Sequence, residues 1–184
     1  MSAPLDDPRR RGAVARTVPL LAPVMPLLLA AWLALSSVPV GGPGQRWPIW
    51  LGALGAPLAL LLWIAAGMVL ADARRYVQRR ARPLTCWLMI VAWALAVVLG
   101  ALLPDLVNGE PASIFLAVFP GATAGLSSGF ANTVGVLMFA AAAASLLAAA
   151  LDVRRTRLLS RGVPLIPEPE DEDRLREQWL DSFR

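Results

Sequence analysis

The sequence predicts an all-α integral membrane protein, a four-helix bundle with both termini cytoplasmic and a short amphipathic C-terminal helix. Three observations carry that prediction. Hydrophobic residues make up 57% of the chain and charged ones 16%, with mean hydropathy +0.60, whereas about a quarter of the residues in a soluble domain are charged. Four apolar stretches approach the roughly 20 helical residues needed to cross a hydrocarbon core about 30 Å thick, and none has a charged side chain in its middle. Arginine alternates between the connections, and positively charged loops stay on the cytoplasmic side.

Residues 1–16 form a basic cytoplasmic N-terminus, with Arg9, Arg10, Arg11 and Arg16 ahead of a first span at about 17–38. The apolar part of that span exceeds the roughly 7 to 15 residues of a cleavable signal core, so it reads as a true membrane helix. Pro19 and Pro23 fall in its opening turns, which leaves Pro26 to bend it modestly. The second span covers about 48–71 and the third about 84–103, with Arg74, Arg75, Arg79, Arg80 and Arg82 between them. The fourth, about 127–151, is followed by Arg154, Arg155, Arg157 and Arg161; only Arg46 lies in a connection on the other side. The transmembrane domain is thus 17–157, in the plasma (cytoplasmic) membrane, and 158–184 is a cytoplasmic tail.

Two spans end alike. "LADARRY" (Leu70 to Tyr76) and "ALDVRRT" (Ala150 to Thr156) each place Asp three residues before Arg, in the pairs Asp72–Arg75 and Asp152–Arg155, a spacing that puts both groups on one helix face. Asp alone opposes the helix dipole at a C-terminus, and neighbouring Arg offsets it. These residues mark the cytoplasmic boundary. The recurrence suggests two helical hairpins of the same orientation, a parallel repeat, although independent use of one interfacial device explains the same match.

The external loop, 104–126, is far longer than the other one, "GGPGQRWP", and unusually apolar. Its segment "ASIFLAVF" is too short to span a bilayer, so it lies along the interface, packs over the helices or dips in and returns. It is read as a lid or as a docking patch for a partner. Gly121, Gly125 and Gly129 follow at intervals of four, and Ala141, Ala144 and Ala148 continue a surface of low bulk. On a helix such a face admits close approach of a second helix; the competing reading is a glycine-rich loop ahead of Phe130.

In the tail, "EDEDRLREQWLDSFR" opens with acids, and Leu175, Trp179, Leu180 and Phe183 recur at near-helical spacing. This is an amphipathic helix suited to docking on a partner or on the chain's own Arg-rich loops. Its acidic face argues against an anionic lipid surface.

All of the 17 basic residues are Arg, and His is absent. Without His the chain lacks the commonest near-neutral acid or base, the commonest metal ligand and the usual axial ligand of a membrane haem. The lone cysteine, Cys86, permits no intrachain disulfide and reads as a small residue buried near the interface. No phosphate-cradling loop, metal-binding helix or serine elbow is present. An enzyme is therefore disfavoured, no cofactor is expected, and nothing points to nucleic acid. Proton- or ion-coupled carriers commonly place a charge inside a span, which this chain does not. The sequence favours a non-catalytic accessory or assembly subunit, in contact with membrane lipids and other membrane protein subunits. The alternative is a small transporter, or the membrane subunit of one, for a small molecule or lipid.

Overall fold

The computed structural model describes residues 13–76 and 81–161. They are overwhelmingly helical. Three helices are long and apolar enough to cross a membrane, and a bent N-terminal pair makes a fourth crossing if it counts as one span.

That bent pair departs from the gentle kink expected for the first span. Helix α1 (Ala13–Leu21) and helix α2 (Met25–Leu35), extended by a 3₁₀ turn at Val38–Val40, meet at 66°. Pro23 and Pro26 lie three apart, so neither Pro19 nor Ala22 can receive its usual backbone N–H. One proline bends a helix, whereas two within one turn sever it. The carbonyl of Pro23 is also released, because Leu27 N–H bonds to Val24 instead. The indole N–H of Trp63 satisfies it at 2.9 Å.

The second span begins at α3 (Trp47–Trp50), passes through a π turn at Leu51–Gly55 and continues as α4 (Ala56–Ala73), a rod of 27 residues. The π turn has a local cause. Pro57 has no N–H for the carbonyl of Ala53, and the ladder widens so that Ala56 N–H reaches Leu51. Helix α5 (Pro83–Leu102) forms the third rod.

Among the described residues, the segment after α5 adds one small hairpin to an otherwise helical chain. Strands β1 (Asp105–Val107) and β2 (Glu110–Ala112) form an antiparallel hairpin, with Leu106 opposite Pro111. Its two-residue turn is Asn108–Gly109, both at positive φ (53° and 86°), the left-handed geometry that matches hairpin twist and favours Asn-Gly. The helix α6 (Ile114–Val118) follows, capped by the Ser113 hydroxyl accepting from Leu116 N–H.

Helix α7 (Ala124–Ser160) has 37 residues and starts at a Thr123 cap. It therefore begins before 127 and outlasts 151. At 1.5 Å per residue it is about 55 Å long, well beyond the apolar thickness of a bilayer.

Helices α2, α4, α7 and α5 touch in that cyclic order, so the consecutive helices α4 and α5 face each other across the core. Ala81 N–H bonds to Ala15 and the Tyr76 hydroxyl to Thr156, which gathers the Arg-rich segments at one end. Arg46 lies at the other, beside the hairpin. In consequence α4 and α7 are parallel neighbours. Their buried positions match at one offset: Leu58, Leu62, Ala65, Val69, Asp72 and Tyr76 correspond to Met138, Ala142, Ser145, Ala149, Asp152 and Thr156, the last pair being 80 residues apart. Alternating steps of four and three are the seven-residue repeat of knobs-into-holes packing.

At the Arg46 end the two loops are stitched together. Asp105 is buried, and its Oδ1 accepts from Arg46 N–H (2.9 Å) and Leu106 N–H (2.7 Å). Its charge thus sits at the N-terminus of the 27-residue rod, where the dipole favours it. Gly44 is required for the fit, because a Cβ there would stand 2.0 Å from the Asp105 carboxyl carbon. Replacing Gly44 by Ala is expected to push Asp105 off these amides at a cost of about 1 kcal/mol. Amide exchange at Arg46 and Leu106 should then accelerate about fivefold; unchanged exchange would show that the carboxylate is not what holds the loop.

Candidate functional site

Polar side chains inside the apolar body are expensive unless paired, so their positions show where the chain invests in specific geometry. Asp72, Tyr76, Thr85, Asp152 and Thr156 are all buried at the Arg-rich ends of α4, α5 and α7. The Thr85 hydroxyl donates to Asp152 Oδ2 at 2.6 Å, and Arg82 Nε lies 3.3 Å from Asp152 Oδ1. Thr156 donates to Asp72 Oδ1 at 2.5 Å. The one hydroxyl proton of Thr156 is thereby used, so in its 2.7 Å contact with Tyr76 it is Tyr76 that donates. A directed chain results, from Tyr76 through Thr156 to the Asp72 carboxylate.

Parallel packing of α4 on α7 creates this cluster. Asp152 and Thr156 lie one turn apart on the buried face of α7, while Asp72 lies in the last turn of α4 and Tyr76, four residues on, is buried in the turn that follows it. Both Asp residues of the expected boundary pairs turn inward, whereas Arg75 and Arg155 are exposed. Among the described residues, Asp152 pairs with Arg82, the residue preceding α5. Thr85, Tyr76 and Thr156 were not singled out by sequence, yet the spacing of four after each Asp was the signal for two of them. The arrangement clamps three helices together at their Arg-rich ends.

The second feature is a lateral groove of about 820 Å³ at the opposite end, bounded by the start of the second rod, the end of α5 and the first half of α7. Leu54, Leu99, Leu103 and Phe139 wall it, and Arg46, Ser128 and Asn132 supply polar groups. Trp50 also lines it and has a buried indole N–H with no acceptor among the described residues.

The glycines of the proposed packing face are placed differently from one another. Gly121 lies in the turn ahead of α7, while Gly125 and Gly129 are on the helix. All three are exposed; a Cβ on Gly121 or Gly129 would meet nothing within 4 Å, and one on Gly125 only the Thr123 hydroxyl at 3.9 Å. Ala141, Ala144 and Ala148 are half-buried, and the fully buried line runs one residue further, through Ala142, Ser145 and Ala149. Within the chain, close helix approach occurs elsewhere: Gly100 receives the Trp32 indole, and Gly55 abuts the backbone of Ala30. Cys86 is buried, as expected of a small residue near a helix start. Leu175, Trp179, Leu180 and Phe183 lie outside the described residues. Comparison with protein-family models, curated proteins and solved structures finds no match.

Proposed function

We propose that the chain is a non-catalytic four-helix bundle of the cytoplasmic membrane, with both termini cytoplasmic, that serves as an accessory or assembly subunit of a larger membrane complex. The observation that carries this reading is the uneven coverage of its spans. Only 22% of the apolar stretch of α7 is buried, against 39% and 44% for the rods Trp47–Ala73 and Pro83–Leu102. Among the three rods, the longest helix is thus the least covered, and its bare side includes Gly125, which permits close approach of a foreign helix.

Mild solubilisation followed by mass measurement tests the proposal. Stable co-purification with other membrane proteins supports it, and a lone monomer or homodimer counts against it. Gly125→Leu is expected to weaken association at least tenfold, equivalent to about 1.4 kcal/mol, with no change in the fold because no neighbour is struck. Association that survives this change would remove α7 as the contact. Orientation is tested with Arg74→Cys and Gly109→Cys: an impermeant thiol reagent added outside intact cells should modify only the second.

A second reading, passage of a small molecule or lipid, draws on the 66° break in the first span, since broken helices sometimes line transport paths. Flux through liposomes containing the chain alone would favour it over the subunit role.

A further inference from the structure

We infer that the lateral groove is a binding site for one glycerophospholipid with an anionic headgroup, taken from the leaflet on the Arg46 side. Length is the first argument. Along α7 the lining runs from Ser128 to Phe139, roughly 16 Å at 1.5 Å per residue, which is about half of a 30 Å hydrocarbon core. The groove is therefore one leaflet deep. Its volume of about 820 Å³ falls within the roughly 300 to 1,000 Å³ of ordinary ligand sites.

The chemistry is graded along that length as a lipid is. Leu54, Leu99 and Phe139 supply an apolar wall for acyl chains. Space exists because α7 carries glycine along it: Gly129 is open, and a Cβ on Gly135 would only just touch Leu99 at 3.8 Å. Polar groups collect towards the mouth. Asn132 and Ser128 lie near the start of α7, where their exposed side chains can hydrogen-bond an ester carbonyl. Arg46 stands at the rim and makes no ion pair among the described residues; the nearby Asp105 carboxylate is engaged by backbone amides, and Glu110 is exposed on the hairpin. A guanidinium at headgroup level, presented to phosphate, gives a charge-assisted contact.

This assignment goes beyond the subunit reading and does not depend on it. The full-length chain, reconstituted in vesicles of phosphatidylcholine and phosphatidylglycerol, would be extracted in mild detergent and weighed by native mass spectrometry. One retained phospholipid per chain is expected, with phosphatidylglycerol enriched about tenfold over its share of the vesicle. Arg46→Gln should keep a lipid and return its composition to the vesicle ratio. Gly129→Leu, which fills the floor without striking a neighbour, should reduce the lipid-bound fraction at least fivefold while helical content by circular dichroism is unchanged. Gly125→Leu, outside the groove, should leave retention unaffected, so failure of the lipid site and failure of helix association are read separately. Lipid-free wild type, retention in the bulk ratio, or indifference to both groove variants would overturn the inference, as would equal loss in Gly125→Leu.

Discussion

Replacing Asp152 by Ala is expected to destabilise the protein by about 3 kcal/mol, the low end of what removal of one member of a buried ion pair costs. Among the described residues, Thr85 and Arg82 lose their acceptor together. Thr85 is left with a buried hydroxyl facing an apolar methyl, and Arg82, only partly exposed, keeps a charge without its counterion. Asp152→Asn separates the two effects. Its amide oxygen can still accept from Thr85, so the loss should fall to about 1–2 kcal/mol, the share carried by the charge. In Asp72→Asn the amide oxygen can likewise continue to accept from Thr156, so that hydrogen bond should survive the change. Equilibrium unfolding in mixed micelles measures all three. Equal losses for the Ala and Asn variants at Asp152 would show that the hydrogen bond to Thr85 contributes nothing.

Gly100→Leu is expected to cost about 3 kcal/mol, the upper range for overpacking. The Trp32 indole lies on this glycine: a Cβ would stand 2.2 Å from Nε1 and 2.7 Å from Cδ1. A side chain there expels the ring and breaks its 3.0 Å bond to the Val97 carbonyl, which joins α2 to α5. Even Gly100→Ala should destabilise. Helix propensity alone would make that change favourable by about 1 kcal/mol, so the sign of the result decides which effect wins. In a Trp32→Ala background the clash disappears and Gly100→Ala should be neutral or stabilising, a coupling of at least about 1 kcal/mol by double-mutant cycle. Additive losses would mean that the ring and the glycine do not share one space.

The candidate site was half legible. Asp72 and Asp152 announce themselves as acids at the ends of apolar runs, and Tyr76 and Thr156 sit one helical turn beyond them. Their true partners were not legible. Arg75 and Arg155 satisfy the spacing for a pair within one helix, yet such spacing places two residues near each other and not on the same side of a packing interface. The alanines show the same effect. Ala141, Ala144 and Ala148 have the right spacing, but the rotation of α7 about its axis buries Ala142, Ser145 and Ala149 instead. The Asn108–Gly109 turn carried a recognisable hairpin signal, obscured by strands of only three residues in a chain dominated by helix.

What the amino-acid sequence determined alone is set by solvent: where the chain is too apolar for water, how long each such stretch is, and which connections carry Arg. Those quantities are sums over neighbouring residues, and a bilayer's thickness and the cost of moving charge across it convert them directly into spans. What only the tertiary structure decided is which helices are neighbours and which face each one turns inward. The cyclic order of α2, α4, α7 and α5 makes α4 and α7 parallel, brings Thr156 to Asp72, lends Arg82 to Asp152 and opens a groove beside Gly129. These depend on complementary shapes between segments far apart in the chain, and no local pattern of residues contains that information.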